Sequence, residues 1–304
     1  GADRFGALDN AMLIPGWLAS QWTGAYGADA VTRFCEILVQ SPPLDLTLKA
    51  PDPDLIAVLG GQPVLGPTVR LTERDAAVAD LAGFAEGKWW VQDVSAALPA
   101  RLLGAARGEK ILDLCAAPGG KTAQLASAGA EVTALDISAD RMERVRANLD
   151  RLDLDAEIVV ADALGYAPGP VFDAVLLDAP CSATGTFRRH PEVLLHRNAQ
   201  GIAERVALQR RMLAHAASLL KPGGRLIYCV CSLEADEGEQ QLGWAKKELP
   251  DLEPAPIGAA ELDGWDVPLT AEGTVRLTPS MTLPNGVSGG LDGFFIARFV
   301  KKTA

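Results

Sequence analysis

Two short runs, DAPCSATG at 178–185 and LIYCVCSL at 226–233, place Cys181 and Cys231 50 positions apart, the first just past and the second at the end of a segment that reads as a buried strand. A thiolate is a strong nucleophile, and a free cysteine with a pKa near 8.5 becomes reactive where its surroundings favour the ionised form. A third run, ILDLCAAPGGKT at 111–122, carries Cys115, Ala116, Ala117, Pro118, Gly119, Gly120 and Lys121 between a strand and a helix. Glycines there let backbone approach a ligand, and the helix start offers free amide donors and a positive dipole end that suit a carboxylate. The run is neither GxGxxG nor a Walker A loop, so a dinucleotide or a triphosphate is not the natural ligand.

Acids end the strands that follow. Asp136 stands where a carboxylate accepts hydrogen bonds from ribose hydroxyls, Asp162 ends the third strand and Asp178 the fourth. Each alone could be a cap or a turn residue. Together they suit a ligand with a ribose, an adenine edge and a charged amino-acid end, a description that S-adenosylmethionine meets.

The elements that must position these groups follow from the apolar pattern. Strands are predicted at 110–115, 131–137, 157–162, 172–178, 225–231 and 294–300, and helices at about 120–129, 139–152, 201–220 and 234–249. Short apolar strands alternating with helices predict an α/β, Rossmann-like, largely parallel sheet covered on both faces, with ligands at the carboxyl ends of its strands. Residues 1–108 read as a smaller α+β domain: a helical pattern from Pro15 to Val39, a strand over Leu44–Ala50, turns through 51–63, an extended run at Lys88–Val94 and a helix at Ser95–Leu103. Residues 109–304 form the catalytic domain.

Composition sets the outer bounds. The 304 residues are 48% hydrophobic and 22% charged, which fits a folded chain with one large core or two modest ones. A net charge of −11 argues against a protein held to nucleic acid by its global field, which leaves local basic pairs such as Arg188-Arg189. No stretch has the roughly 20 apolar residues of a membrane span, and GADRFGALDN does not read as a signal peptide, so a soluble cytoplasmic protein is expected. Its first residue is Gly, which suggests a processed, tagged or truncated chain. None of the five cysteines forms a CxxC pair, so neither a zinc site nor a secreted disulfide framework is expected.

ILDLCAAPGGKT, ALDIS, VVADA, LLDAPCSATG with the following RRHP, and YCVCSLEADEGE resemble, in order, the motifs of the RNA cytosine-5 methyltransferases of the Nol/Nop/Sun superfamily, and within it the bacterial Sun or RsmB type. The resemblance covers 10–300, with VQDVSA and LDGFFIARF included, and it implies a function and a set of roles. S-adenosylmethionine is the cofactor, bound by the 115–121 loop with Asp136, Asp162 and Asp178, and 16S ribosomal RNA is the substrate, acted on by a monomer. Cys231 is the nucleophile at carbon 6 of cytosine, Cys181 assists release, and Asp178 contacts both cofactor and base. Cys229 is assigned to the core. Arg188 and Arg189 are expected to meet phosphates beside a flipped or unpaired base, and Lys121 is a candidate for supporting the thiolate. Two features depart from the type: Lys49 stands where Arg is usual, and a NusB-like RNA-binding domain is not among these residues. The same chemistry on transfer RNA, or a noncatalytic RNA-binding module, are the alternatives.

Overall fold

A computed structural model describes residues 13–72, 76–267 and 269–303, so the opening GADRFGALDN lies outside the described residues. The helical pattern from Pro15 to Val39 is two helices, α1 (Gly16–Tyr26) and α2 (Ala28–Leu38). Gly27 separates them because its φ of 85° is one that side-chain-bearing residues rarely adopt. Strand β1 (Leu44–Leu48) precedes α3 (Pro53–Leu59), whose start is capped by Asp52 accepting from the Leu55 amide at 2.9 Å. Strands β2 (Gln62–Leu65), β3 (Thr68–Leu71) and β4 (Trp89–Val91) complete an antiparallel sheet in the order β2-β3-β1-β4.

Helix α4 (Val94–Leu103) leads into the large sheet, capped by Asp93 accepting from the Ser95 amide at 2.9 Å. In chain order there follow β5 (Lys110–Leu114), α5 (Gly120–Ser127), β6 (Glu131–Asp136), α6 (Ala139–Leu152), β7 (Glu157–Val160) and β8 (Phe172–Asp178). Then come α7 (Ala199–Leu219), β9 (Leu220–Val230), α8 (Glu239–Glu248), β10 (Leu252–Pro254), β11 (Val275–Leu277) and β12 (Phe294–Lys301). The strand order is β10-β12-β9-β8-β5-β6-β7, with β11 paired to β12. From β9 to β7 the pairs are parallel; β12 joins antiparallel.

The parallel core is what continuous apolar runs should build. Ala174, Val175, Leu176 and Leu177 of β8 are all fully buried, and each Val or Leu so buried contributes about 1.5–3 kcal/mol. One face packs on α4 and α5 through Leu98, Ile111, Leu125 and Ile227, and the other on α7 and α8 through Leu213, Ala216, Tyr228 and Leu242. On α6, Met142, Val145, Leu149 and Leu152 form one buried stripe, the spacing of an amphipathic helix. Two bounds differ from expectation for a physical reason. β7 stops at Val160 because Asp162 caps a short 3-10 turn, and α8 starts at Glu239 because Glu234 and Glu237 are held in side-chain hydrogen bonds before it. Helices α1 and α2 pack Leu18, Trp22 and Phe34 against Phe187 and Leu233, beside the cysteine loops. No helix among the described residues is long and apolar enough to cross a membrane.

Candidate active site

The chain continues from β5 to β6 and β7 on one side and returns to β8 on the other. The order therefore reverses between β5 and β8, where a crevice opens at the strands' carboxyl ends. The loop after β5 leaves the sheet at Cys115, φ 62°, and reaches α5 through Gly119, φ 98°. A Cβ on Gly119 would come within 3.0 Å of Val145, so glycine lets this loop lie on α6. Asp136 joins the end of β6 to the same loop, accepting from the Ala117 amide at 3.2 Å and the Ser138 amide at 3.0 Å, with Arg141 Nη1 3.6 Å away. Asp162 is exposed and accepts from the Leu164 amide at 3.0 Å.

Strands β8 and β9 are parallel neighbours, with Asp178 opposite Cys229, so the loops carrying Cys181 and Cys231 rise from the same edge. Their Sγ atoms are 3.5 Å apart. Cys231 lies just past the end of β9 and lines the crevice, whereas Cys229 is fully buried within the strand and directs its thiol at Asp178 Oδ1, 3.6 Å away. The Cys181 thiol is held well above its ordinary pKa by its hydrogen bond with Cys231 and then by burial. Burial, with Asp178 next, does the same to Cys229 and Cys115. Lys121, at the start of α5, donates to Asp178 Oδ2 at 2.7 Å. Burial disfavours its ammonium, but Asp178, Cys229 and Asp113 together outweigh that and push its pKa up. Lys121 is therefore a fixed, buried cation lining the crevice.

The crevice is a cavity of about 490 Å³, within the range of small-ligand sites. Cys115, Ala116, Pro118, Gly119, Gly120, Lys121, Asp178, Arg189 and Cys231 line it. Ala117, Asp136, Asp162, Cys181 and Arg188 do not. The two arginines part company here. Arg188 is buried between Asp93, at 2.5 Å, and Asp292, at 3.5 Å, so its guanidinium is turned away from any phosphate. Arg189 stays partly exposed, with Nε 3.0 Å from Asp292 Oδ2. Burial, then the neighbouring Asp93, pushes Asp292 up to about 6 against the pull of Arg189. At Asp93 the cost of burial is outweighed by Arg188 and Arg189, and its pKa falls.

Asp113, Asp292 and Phe294 are among the cavity residues that carried no assigned role in the sequence. A single acid inside the apolar strand KILDL was the available signal for Asp113. Its Oδ2 accepts from the Thr122 hydroxyl at 2.6 Å, Oδ1 has no protein partner, and burial pushes its pKa up to about 7. Trp89 and Trp90 are core residues, and Trp90 also borders the cavity.

A parallel sheet that reverses between β5 and β8, a glycine-bearing loop after β5 and an acid ending β6 define the S-adenosylmethionine-dependent methyltransferase class. Within that class the chain belongs to the family described as 16S rRNA methyltransferase RsmB/F, which it matches over residues 100–300. It is 36% identical over 315 aligned positions to ribosomal RNA small subunit methyltransferase B of Salmonella paratyphi B, covering 99% of this chain and 69% of the relative. The protein of the same name in Xanthomonas campestris pv. campestris is 39% identical over 276 positions, covering 84% of this chain and 62% of the relative. A methyltransferase homolog from Pyrococcus horikoshii superposes with a TM-score of 0.78 at 27% identity, covering 97% of this chain and 98% of that one. NSun6 from Pyrococcus horikoshii, solved with SFG, shares the fold at a TM-score of 0.81 and 18% identity over 97% of this chain and all of the other (100%).

Proposed function

We propose that the chain methylates carbon 5 of a cytosine in 16S ribosomal RNA through a transient cysteine adduct at carbon 6. The observation that carries this reading is the 3.5 Å approach of the Cys181 and Cys231 sulfurs beside the Lys121–Asp178 pair. Two thiols on separate loops are not needed for methyl transfer to an oxygen or a nitrogen. They are suited to a reaction in which one sulfur must bond to the substrate and then leave.

The residues present fit the cofactor. The amides at the start of α5 suit its carboxylate, the unpartnered Asp113 Oδ1 suits its ammonium, and Asp136, behind the loop and outside the cavity lining, is the acid assigned to the ribose, held to that loop by the Ala117 amide. S-adenosylmethionine, when bound, supplies an electrophilic methyl group. Cys231 adds its thiolate to carbon 6, and the displaced electron pair makes carbon 5 nucleophilic enough to take that methyl. Asp178 holds a proton near ring nitrogen 3, with Lys121 fixing its carboxylate. The proton on carbon 5 passes to water, its electron pair restores the carbon 5–carbon 6 double bond, and the carbon–sulfur bond breaks, with the Cys181 thiol hydrogen-bonding the departing Cys231 sulfur. Arg189, at the rim, meets a phosphate beside the flipped base.

The test is bisulfite sequencing of 16S ribosomal RNA and transfer RNA after incubation with the purified chain and S-adenosylmethionine. One protected cytosine is expected in 16S RNA, and none with Cys231→Ala. Methylation at the wild-type level by Cys231→Ala would sink the reading, and protection confined to transfer RNA would move the substrate.

A further inference from the structure

The two thiols sit on different loops, and one buried carboxylate holds both. Glu237 is fully buried. Its Oε1 accepts from the Ser182 amide at 2.9 Å and from Gln209 Nε2 of α7 at 3.0 Å. Its Oε2 accepts from the Ser232 hydroxyl at 2.6 Å and from the Ser182 hydroxyl. Ser182 directly follows Cys181, Ser232 directly follows Cys231, and the two serine hydroxyls are 3.0 Å apart. The loops are joined a second time where the Gly185 amide donates to the Cys231 carbonyl at 3.0 Å.

A buried carboxylate that spends its lone pairs on one element caps that element. Glu237 divides them between the residues next to two reactive sulfurs, and fully satisfied buried networks of this kind fix a unique geometry. We propose that Glu237 is a positioning residue that sets the separation of the Cys181 and Cys231 sulfurs, so that the releasing thiol stays in contact with the sulfur bonded to the base. This rests on the reading of the two thiols given above. Glu237 touches no substrate; it acts through Ser182 and Ser232.

The test reads thiol proximity and catalysis separately, in the wild type and in Glu237→Gln, which keeps the side-chain shape. Diamide, an azo thiol oxidant, reports proximity. Both S–H bonds break, a 181–231 S–S bond forms, and the two hydrogens with their electrons reduce the N=N bond to a hydrazine. Peptide mass spectra follow the cross-link. The wild type should cross-link readily and Glu237→Gln about tenfold more slowly, because ångström-scale displacement costs reactions at least that much. In parallel, the multiple-turnover methylation rate of Glu237→Gln should fall about tenfold or more, with the covalent protein–RNA species accumulating, while the Kd for RNA stays within about threefold. Unchanged cross-linking, or slowed cross-linking with undiminished methylation, overturns the proposal, as does a wild type that forms no 181–231 link. Glu237-dependent cross-linking in a chain that methylates no cytosine would leave the positioning role standing and refute the proposed reaction instead. Should Glu237→Gln lose its cooperative thermal transition, Ser232→Ala, which removes one hydroxyl from the clamp, carries the same two readouts.

Discussion

At the scale of single residues, the site sets two cysteines and two acids to different tasks by environment. Cys181 is held in its protonated form by Cys231 and by burial, the state from which it can assist release. Cys181→Ala should therefore attack but release poorly, leaving a protein–RNA band that survives denaturing gel electrophoresis; the absence of that band would remove Cys181 from the release step. Asp113 offers a test by pH. Its folded pKa, about 7, lies above the usual carboxylate value near 3.9, so the folded state holds its proton more tightly than the unfolded chain. The contribution is present at low pH and is lost as pH rises through about 7, a loss of at most about 4 kcal/mol. Relative to wild type, Asp113→Asn should gain thermal stability between pH 5 and 8, and parallel melting curves across that range would contradict it. Cys231 and the 115–121 loop were legible in sequence because their motifs are local and ordered. Glu237 and Asp292 were not, since apart from Ser232 their side-chain partners lie tens to hundreds of positions away. Arg188 was misjudged because a place beside a reactive loop does not say which way a side chain turns; here two buried carboxylates draw it inward.

At the scale of elements, one close joint lies between the loop after β8 and the approach to β12. The Gly293 amide donates to the Gly185 carbonyl at 2.8 Å, and a Cβ on Gly185 would lie 2.1 Å from the Gly293 carbonyl oxygen. Gly185→Ala must push the strands' loops apart, at a cost of about 1–3 kcal/mol. The same change disturbs the Gly185 amide that bonds the Cys231 carbonyl. We expect a lower melting temperature and a loss of methylation larger than the loss of folded protein, read from calorimetry and a single-turnover assay on the same sample. The strands of the large sheet were legible because fully buried parallel strands are continuous apolar runs. The β2–β3 hairpin was not, since QPVL and TVRL are four residues each and Pro63, Gly66 and Pro67 signal turns more strongly than strands. The break at Gly27 was hidden for the opposite reason, as apolar helical periodicity continues on both sides of it.

At the scale of the molecule, the small sheet is bolted to the catalytic one by charges that water does not reach. Arg70 of β3 pairs with Asp45 of β1 at 2.6 Å and donates to the carbonyls of Ser288 at 2.8 Å and Gly290 at 2.7 Å. Arg188 links Asp93 with Asp292 in the same region. Breaking such a pair by removing one partner costs about 3–5 kcal/mol. Calorimetry of the whole chain should therefore show one transition, with Arg70→Met lowering all of it; two separated transitions, only one of them shifted, would show the sheets to be independent. Order of synthesis adds a last consequence. The Trp22 indole donates to Glu234 at 2.9 Å across 212 positions of sequence, and the Tyr26 hydroxyl bonds the Leu233 carbonyl beside it. Helix α1 leaves the ribosome before the loop it braces, and at about 5–20 residues per second it waits about 10–40 s for it. The loop carrying Cys231 thus meets the helix that braces it well after that helix is made, so a nascent chain presents the 115–121 loop before the two thiols can come together.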